Sequence, residues 1–555
     1  MAGSRLAYGM LPVSTFLAYN PVALAFGTSG LRGLVTDITD IEAYVNVRGA
    51  LRYLIASGDM QAGGAVVLGG DLRPSTDRIM RAAARAILDA GSRVENSGKI
   101  PTPALILHAI ATGRTGVMVS GSHIPFDRNG IKINKSVGEL LKSDEPGVTR
   151  EVELVRAEEY ARSAAASPFK PDGMLKEPGE LPPLERAAEE RYVRRYVGGF
   201  PVGGLRGITV LVYEHSAVGR DILGRILREL GATVVTAGRA ETFIPIDTEN
   251  ITDELLVRLE GLVKDAEAAG HRPNVIVSTD GDSDRPLVAA VHAASGPQRT
   301  PRVQFLPGDL LGIIVAEYLR ADAVAVPISA NDAVERRMVE RGVLLEKTRI
   351  GSPYVVAALD HLSRRGTLSR IVGWEANGGF LLGSEASVGG EPLAPLPTRD
   401  STLPILANLF AAADQHVTLA ALWARLPARF GRAGLLDNVP VAASRAILAG
   451  LVPAGSVTEV TLDDATTPDW RTCAVTLGRF FPAALGFDRI VRINVLDGVR
   501  VYFANGDVTH IRPSGNAPQL RIYANSDTQE RADQIVADGL REPDGILRQL
   551  EKAFA

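Results

Sequence analysis

Short apolar runs alternate with longer helix-like segments through the first three quarters of this 555-residue chain. In the first stretch, an apolar run at 65–68 precedes a helical pattern at 76–88, and a second helical pattern at 103–111 precedes a run at 116–119. The same alternation returns in two later stretches, over 208–278 and 308–374. Such alternation is typical of α/β units built on mostly parallel sheets. The fold class is therefore predicted to be α/β, with three successive units.

The last part of the chain follows a different pattern. Residues 487–524 alternate apolar and polar positions, and Asn505-Gly506 is a hairpin signal. A smaller α+β domain with antiparallel strands, closed by a helix from Thr528, is therefore predicted. Residues 145–190, rich in Glu, Ala and Pro, interrupt the alternation. They are interpreted as a surface helical excursion with an exposed loop.

Length and composition limit the alternatives. At roughly 150 residues per domain, the chain is long enough for about four domains. The boundaries are expected at 1–195, 196–305, 306–430 and 431–555. A net charge of −4, without a Lys/Arg-rich block, argues against nucleic acid as a partner. The single cysteine, Cys473, fits a reducing cytosol, and neither a signal pattern nor a membrane-spanning run is visible, so a cytoplasmic protein is expected.

The most specific motif is a cluster of carboxylates that directly follows the apolar run 275–277. It reads Asp280-Gly281-Asp282-Ser283-Asp284-Arg285. Oxygen ligands this crowded suit Mg²⁺, and the adjacent arginine suits a phosphate. The alternatives are a solvated acidic turn or a calcium loop. The calcium loop is disfavoured because no Glu follows at the twelfth position and the flank is a strand.

Each predicted α/β unit ends a strand in an unusual polar loop, at 119–132, 278–286 and 373–379. In open α/β sheets, ligands bind beyond the carboxyl ends of strands, so these loops could converge on one cleft. In the first loop, Ser122 lies beside His123 and near Lys132, as a nucleophile or phosphate carrier would. The alternative is a serine that only caps a turn.

Two further loops carry binding groups. Glu375 and Asn377 are two residues apart and could hold paired sugar hydroxyls, although a glycine-rich bend with an exposed glutamate is the alternative. Residues 512–521 offer arginines, a hydroxyl and successive N–H groups as an anion nest, and the alternative is an ordinary turn. A glycine-rich loop at 26–33 carries another arginine, Arg32, but lacks the ending of a nucleotide P-loop. Together the loops indicate phosphoryl transfer on a phosphorylated polyol.

These motifs, in this order, make the chain resemble the α-D-phosphohexomutase family, which includes phosphomannomutases, phosphoglucomutases and phosphoglucosamine mutases. The resemblance covers almost the whole chain and rests on F-G-T-S-G-L-R-G, G-S-H-x-P, D-G-D-S-D-R, G-W-E-A-N-G-G and R-P-S-G-N-A-P. It implies four domains around a central cleft, three of them related α/β units and the fourth α+β. It also implies interconversion of hexose 1- and 6-phosphates, of mannose or also glucose, through a bisphosphorylated sugar that serves as activator.

The resemblance assigns roles residue by residue. Ser122 would carry the phosphoryl group and complete, with the three aspartates, a site for one Mg²⁺ per chain. Arg32 and Lys132 would flank the transfer, with Lys132 or His123 handling the proton. The remaining implied contacts are substrate-binding: Arg285 at the metal loop, Glu375 and Asn377 on sugar hydroxyls, and Arg512, Ser514, Gly515, Asn516 and Arg521 on the second phosphate. The expected partner is a small hexose phosphate, without nucleic acid or membrane, bound by a monomer or homodimer.

The sequence departs from the usual family patterns at several positions. Ile124 replaces the Asn of T-A-S-H-N-P, and Asn516-Ala517 stand where Thr-Glu is usual. Asn377 and Gly379 replace the Ser and His of G-E-x-S-G-H. Glucosamine enzymes tend to keep that form, so glucosamine phosphate ranks below mannose and glucose phosphates. The alternatives left open are a phosphoglucosamine mutase, a metal-dependent sugar-phosphate phosphatase and a non-catalytic sugar-phosphate binder.

Overall fold

The computed structural model describes residues 17–27, 30–292, 302–463, 467–513 and 518–554. The chain divides into two compact units, one formed by residues 1–324 with 351–423 and the other by 325–350 with 424–555. Among the described residues, no helix combines the length and apolar character needed to cross a bilayer. The finer division into four domains remains a prediction.

The first sheet of the larger unit is mixed and leads into the loop at 119–132 that carries Ser122, here called the serine loop. Its elements, with the helices that accompany them, are β1 (Ala25–Phe26), β2 (Leu31–Leu34), α1 (Asp40–Ala56), β3 (Ala65–Gly70), α2 (Thr76–Asp89), β4 (Arg93–Lys99), α3 (Thr102–Ala111), β5 (Thr115–Val119), β6 (Arg128–Lys135), β7 (Gly138–Glu139), α4 (Glu145–Tyr160) and α5 (Ala187–Gly199). The described strands run in the order β1-β2-β6-β5-β3-β4, with β7 beside β6. Strands β3, β4 and β5 are parallel, whereas β6 returns antiparallel to β5, so the loop between β5 and β6 leaves a strand's carboxyl end.

Helix α4 is part of the hydrophobic core that accompanies the first sheet. The interpretation of 145–190 as a surface excursion is therefore wrong for the helical half of that segment. The predicted helix itself is confirmed. Val148, Val152 and Val155 are buried in the core that also contains α1. Their spacing of four and three residues forms an apolar stripe. Gly49 of α1 permits the close approach, because a Cβ there would lie 2.5 Å from the Cα of Val152.

The acidic motif at 280–285 follows a strand of the second sheet. Its elements are β8 (Thr209–Tyr213), α6 (Arg220–Glu229), β9 (Thr233–Ala237), α7 (Asp253–Ala268), β10 (Val275–Thr279), β11 (Pro286–His292) and β12 (Arg302–Phe305). The described strands follow the order β12-β11-β10-β8-β9. Strand β10 lies between β8, which is parallel to it, and β11, which is antiparallel. All five residues of β10 are buried, so the strand fixes the position of Asp280, the first residue of the acidic motif.

The third stretch of alternation also folds as predicted. Its elements are α8 (Gly308–Tyr318), β13 (Ala323–Pro327), α9 (Asp332–Arg341), β14 (Leu344–Thr348), α10 (Ser352–Ser363), β15 (Ile371–Trp374), β16 (Phe380–Leu382), β17 (Leu396–Asp400), α11 (Thr402–Asp414) and α12 (Leu419–Trp423). In the larger unit, β15, β16 and β17 are successive antiparallel neighbours. The turn between β15 and β16 presents residues 375–379.

The smaller unit contains an antiparallel sheet, which confirms the predicted α+β character of the tail. Its later elements are β18 (Phe430–Asp437), α13 (Val441–Leu451), β19 (Glu459–Thr461), α14 (Pro468–Gly478), a 3₁₀ turn (Ala483–Leu485), β20 (Ile490–Asn494), β21 (Val499–Phe503), β22 (Val508–Pro513), β23 (Gln519–Ser526), α15 (Gln529–Leu540) and α16 (Ile546–Phe554). The described strands follow the order β18-β23-β22-β21-β20-β19. Gly506 has φ +88°, as the predicted hairpin turn requires.

A buried histidine ties β8 to β10 and makes stability depend on pH. The Nε2 of His215 donates to the carbonyl oxygen of Thr279 at 2.9 Å. Burial outweighs this hydrogen bond and lowers the pKa of His215 to about 4. An unfolded histidine has a pKa near 6.5. Between these values the unfolded chain takes up a proton that the native chain excludes, so falling pH destabilises the fold.

We therefore expect the melting temperature to fall as pH drops from about 6.5 to about 4, with His215 contributing on the order of 3 kcal/mol at most. His215→Gln keeps a donor for Thr279 but does not titrate. Its melting temperature should therefore fall less than that of the wild type as the pH drops. His271→Gln, an exposed histidine before β10, is the control. Melting curves at several pH values measure the difference, and identical acid-side slopes for wild type and His215→Gln would exclude this role.

Candidate active site

Three buried carboxylates form the centre of the site. Asp280, Asp282 and Asp284 follow β10, each 0% exposed, and each offers an oxygen within 4.8 Å of the others. Between them, Gly281 lies against the serine loop, since a Cβ there would be 2.6 Å from the carbonyl oxygen of Ser122. A side chain at position 281 would therefore push the two loops apart.

The donor set fits a hard divalent cation. The Oδ1 atoms of Asp282 and Asp284 are buried and find no hydrogen-bond partner within the described residues. Burial, together with the charges of Asp282 and Asp284, raises the pKa of Asp280 well above its usual value. A cation among the three carboxylates would supply the missing partners and offset the repulsion, and Mg²⁺ prefers such oxygen ligands.

Charged side chains and a hydroxyl donate hydrogen bonds to the Oδ2 atoms of Asp282 and Asp284. The Nζ of Lys132, on β6, donates to Asp282 Oδ2 at 2.6 Å and to Asp284 Oδ2 at 2.9 Å. Thr102 Oγ1 also donates to Asp282 Oδ2, at 2.5 Å, and Arg399 NH2 donates to Asp284 Oδ2 at 2.8 Å. Burial lowers the pKa of Lys132, but Asp282 and Asp284 outweigh it and raise the pKa above its usual value. Lys132 is therefore a charged ammonium here.

The serine loop places Ser122 directly on the carboxylate cluster. Ser122 is fully buried, and its Oγ donates to Asp280 Oδ2 at 2.6 Å. Its φ of +58° lies in the left-handed region, which non-glycine residues seldom adopt. The neighbouring imidazole comes close as well, with His123 Nδ1 3.4 Å from Ser122 Oγ. Arg285 NH1 donates to that same Nδ1 at 2.9 Å.

His123 stays neutral in this setting. Burial, with Arg285 and Arg32 next in effect, lowers the pKa of His123 far below its usual value. Burial, and then the like charges of Arg285 and Arg399, lower the pKa of Arg32 to about 10. The charges of Arg32, Arg285 and Arg399 therefore act on one another and on His123, the neighbour of the serine. Such a cluster is suited to an anion with several oxygens, as a phosphate is.

The loop at 373–379, here called the sugar loop, brings the carboxylate of Glu375 to the same site. Glu375 is buried, and its Oε2 accepts from Arg399 NH1 at 2.9 Å. Asn377 instead uses its Oδ1 within the turn, accepting from the Gly379 N–H at 3.0 Å, while its carbonyl accepts from Thr248 Oγ1. Glu375 is therefore positioned towards the other charged groups, and Asn377 contributes to the shape of the turn.

Arg73, which the sequence analysis did not identify, holds the serine loop in place. Its side chain is fully buried, and its Nε donates to Asp71 Oδ2 at 3.1 Å. Its two terminal nitrogens donate to four carbonyl oxygens of the loop, those of Ser122, Ile124, Pro125 and Arg128. The guanidinium carbon lies 4.0 Å from the centre of the Phe243 ring. A single side chain thus supports the unusual conformation at Ser122.

We expect Arg73→Lys to reduce kcat about 10²-fold, because a small displacement of a reacting group has an effect of that size. Lysine cannot reach four carbonyls at once, and we also expect a loss of about 3 kcal/mol in unfolding free energy. Arg78→Lys is the matched control, since Arg78 also donates to carbonyl oxygens, those of Val35 and Ile38, away from the serine. Steady-state kinetics and denaturation measure both effects. Unchanged kcat in Arg73→Lys would show that the loop does not depend on this arginine.

The predicted phosphate clamp lies in the smaller unit. Ser514, Gly515 and Asn516 are outside the described residues. Arg512 and Arg521 lie directly opposite each other on β22 and β23, so they share a face of the sheet beside that loop. Asp497 accepts from the Nε of Arg512 at 3.0 Å. Directly opposed like charges are unfavourable in a sheet, and Asp497 offsets part of that repulsion at Arg512.

Comparison with protein families gives three matches along the chain. The models are those of phosphoglucomutase/phosphomannomutase, and they match alpha/beta/alpha domain I at residues 23–158, alpha/beta/alpha domain III at 307–430 and the C-terminal domain at 471–541. Together they cover more than half of the chain. Among solved structures, a phosphoglucomutase/phosphomannomutase family protein from Burkholderia thailandensis has a TM-score of 0.63 at 18% identity, covering 95% of this chain and 97% of that one. At that identity the likeness supports the fold alone.

Curated relatives extend over nearly the same length. A phosphomannomutase from Sinorhizobium fredii is 37% identical over 517 residues, covering 93% of this chain and 98% of the relative. A phosphomannomutase from Salmonella muenchen is 35% identical, covering 94% and 96%. A phosphoglucosamine mutase from Salinispora arenicola is 25% identical, covering 93% and 98%.

Proposed function

The chain belongs to the phosphoglucomutase/phosphomannomutase family, and from that premise we propose that it interconverts mannose 1-phosphate and mannose 6-phosphate. Membership makes the chain a phosphohexomutase, an isomerase that works by phosphoryl transfer. The observation that carries the mechanism is the contact of Ser122 Oγ with Asp280, in a carboxylate cluster surrounded by cations. The preference for mannose is supported by two relatives above 30% identity that are both phosphomannomutases.

We propose Ser122 as the phosphoryl carrier. Phosphorylation adds roughly 1.5 to 2 negative charges. The three aspartates are already balanced by the three cations that approach them, Lys132, Arg285 and Arg399. A phosphoserine therefore needs a further cation. A Mg²⁺ ion held by Asp280, Asp282, Asp284 and the serine phosphate would supply that charge and stabilise charge on the transferring phosphoryl group.

The transfer exchanges one phosphorus–oxygen bond for another. The bond from Ser122 Oγ to phosphorus breaks while a bond forms between phosphorus and the free hydroxyl oxygen of the sugar phosphate, giving a bisphosphorylated sugar. Lys132, held as an ammonium, donates a proton to the departing Ser122 Oγ and recovers the proton released by the sugar hydroxyl. His123 is a poorer proton handler, because its pKa is low and its Nδ1 accepts from Arg285. Return of the other phosphate to Ser122 completes the cycle.

The binding groups divide into two sets. Arg32 and Arg285 would hold the transferring phosphate, while Glu375 would accept hydrogen bonds from sugar hydroxyls. A clamp on the non-reacting phosphate is proposed for residues 512–521, with Arg512 and Arg521 opposed across two strands. Activity towards glucose phosphates, activation by a bisphosphorylated hexose, a cytoplasmic location and a monomeric or homodimeric state remain predictions.

A parallel coupled assay tests the substrate. Mannose 1-phosphate and glucose 1-phosphate are supplied separately with Mg²⁺ and a trace of glucose 1,6-bisphosphate, and formation of each 6-phosphate is followed. We expect both to react, with the higher kcat/KM for mannose. Preference for glucose would replace the substrate proposed here. Release of inorganic phosphate without a 6-phosphate would favour a phosphatase, in which water intercepts the phosphoserine.

A further inference from the structure

Arg399, on β17, bridges the acidic motif at 280–285 and the sugar loop at 373–379. It is 3% exposed, and its Nε and NH2 donate to Asp284 Oδ2 at 3.1 and 2.8 Å. On its other side, NH1 donates to Glu375 Oε2 at 2.9 Å. One guanidinium therefore neutralises a carboxylate of the metal loop and the carboxylate of the sugar loop. A planar arginine can do this because its donors point in several fixed directions.

The space for this bridge comes from a departure from the family pattern. Gly379 stands where G-E-x-S-G-H has histidine. A Cβ at position 379 would lie 2.6 Å from Cδ and 2.8 Å from Cγ of Arg399. The arginine stem therefore passes directly over the glycine. A histidine at 379 is incompatible with Arg399 in this position, so the glycine and the arginine belong together.

The contacts of Arg399 also determine which oxygens of Asp284 and Glu375 remain available to a cation or a sugar hydroxyl. Arg399 and Lys132 both use Oδ2 of Asp284, which leaves Oδ1 buried and without a hydrogen-bond partner within the described residues. Arg399 also takes Oε2 of Glu375, so the carboxylate plane is fixed with its second oxygen free of this contact. The same side chain thus orients one acid for a cation and another for a hydroxyl.

We propose that Arg399 is a positioning residue that couples cation binding at Asp284 to sugar binding at Glu375. The inference rests on the proposed function for the roles of these two acids. When Glu375 is neutralised, Arg399 loses one of the carboxylates that oppose its positive charge, while Asp284 remains, and the cation site becomes more positive. Cation affinity should therefore respond to a substitution in the sugar loop, through the shared guanidinium. Such coupling is reciprocal, so a change in cation binding acts equally on sugar binding.

Calorimetric titration with Mg²⁺ in the absence of sugar phosphate tests this directly, because it needs no turnover. We expect Glu375→Gln to weaken Mg²⁺ binding about 5-fold in the wild-type background, at the lower end of typical coupling. In an Arg399→Gln background the same substitution should change Mg²⁺ affinity less than about 2-fold. An equal effect in both backgrounds, or no effect in the wild-type background, would overturn the proposal.

A second variant is used if Arg399→Gln does not fold. Gly379→Ala keeps the arginine but displaces its stem, and we expect it to weaken both Mg²⁺ binding and mannose 1-phosphate binding at least about 5-fold. Unchanged affinity for both ligands would contradict the proposal. The matched control is Arg156→Gln, since Arg156 is equally buried and donates to the buried Glu42 in the same unit. It should leave both affinities unchanged.

The coupling and the proposed function fail in different ways. If the wild type forms no hexose 6-phosphate but the Mg²⁺ titrations show the coupling, the activity assignment is wrong and the bridge stands. If the wild type isomerises mannose 1-phosphate but Glu375→Gln leaves Mg²⁺ affinity unchanged, the bridge is wrong and the function stands.

Discussion

Ser122→Ala is expected to reduce turnover of mannose 1-phosphate by at least about 10⁴-fold, as the loss of a covalent nucleophile does in other enzymes. The serine hydroxyl is the proposed acceptor of the phosphoryl group, and alanine offers no oxygen to replace it. The loop itself should keep its place, since Arg73 holds it through backbone carbonyls that the substitution leaves intact. Substrate binding should therefore stay within a few-fold of the wild type.

Steady-state kinetics and calorimetric binding of mannose 1-phosphate separate these two effects. Ser136→Ala is the control, because Ser136 lies in the turn between β6 and β7, where its hydroxyl donates to the Asp59 carbonyl at 3.4 Å. It should behave as the wild type in both measurements. Turnover of Ser122→Ala near the wild-type rate would mean that another group carries the phosphate. Lost binding together with lost turnover would indicate that the serine loop had collapsed.

Removal of divalent metal is expected to abolish activity, and addition of Mg²⁺ should restore that activity. A phosphoserine beside three buried aspartates leaves an excess of negative charge that the neighbouring lysine and arginines, already paired, do not offset. Asp282→Asn should have a similar effect that added Mg²⁺ does not reverse, reducing kcat at least about 10²-fold. The asparagine removes a negative ligand and leaves Lys132 with one carboxylate fewer.

Assays after chelation and after stepwise addition of Mg²⁺ measure the first effect, and calorimetry with Mg²⁺ measures the second. Asp144→Asn serves as the control, because this buried aspartate binds Lys135 and Tyr53 outside the carboxylate cluster. It should retain Mg²⁺ binding. Full activity in the presence of excess chelator would remove the metal from the mechanism.

Much of the architecture follows from local pattern. Strand and helix periods differ, so alternating segments can be located without knowledge of their packing. The rule that ligands bind beyond strand ends then predicted that the serine loop, the acidic motif and the sugar loop could converge on one cleft. In the larger unit, Ser122 contacts Asp280, and Arg399 joins Asp284 to Glu375.

What the sequence could not provide are contacts whose partners lie far apart along the chain. Arg73 is 49 residues from Ser122, and Arg399 is 115 residues from Asp284. Each lies near a strand end among polar neighbours, which is a weak signal, because most such arginines are solvated. The apolar stripe of α4 was similarly hidden, since its three valines are separated by charged residues that dominate the composition. The role of Gly379 depends on Arg399 and is visible only in three dimensions.

The proposed reaction is transfer of a phosphoryl group from Ser122 to the sugar. Its most direct test is to phosphorylate the enzyme with mannose 1,6-bisphosphate, remove the sugar, locate the phosphate by peptide mass spectrometry, and then add mannose 1-phosphate in a single turnover. We expect one phosphate on Ser122, which disappears as an equal amount of mannose 1,6-bisphosphate forms. Phosphate on another residue, or its release as inorganic phosphate without a bisphosphorylated sugar, would exclude Ser122 as the phosphoryl carrier.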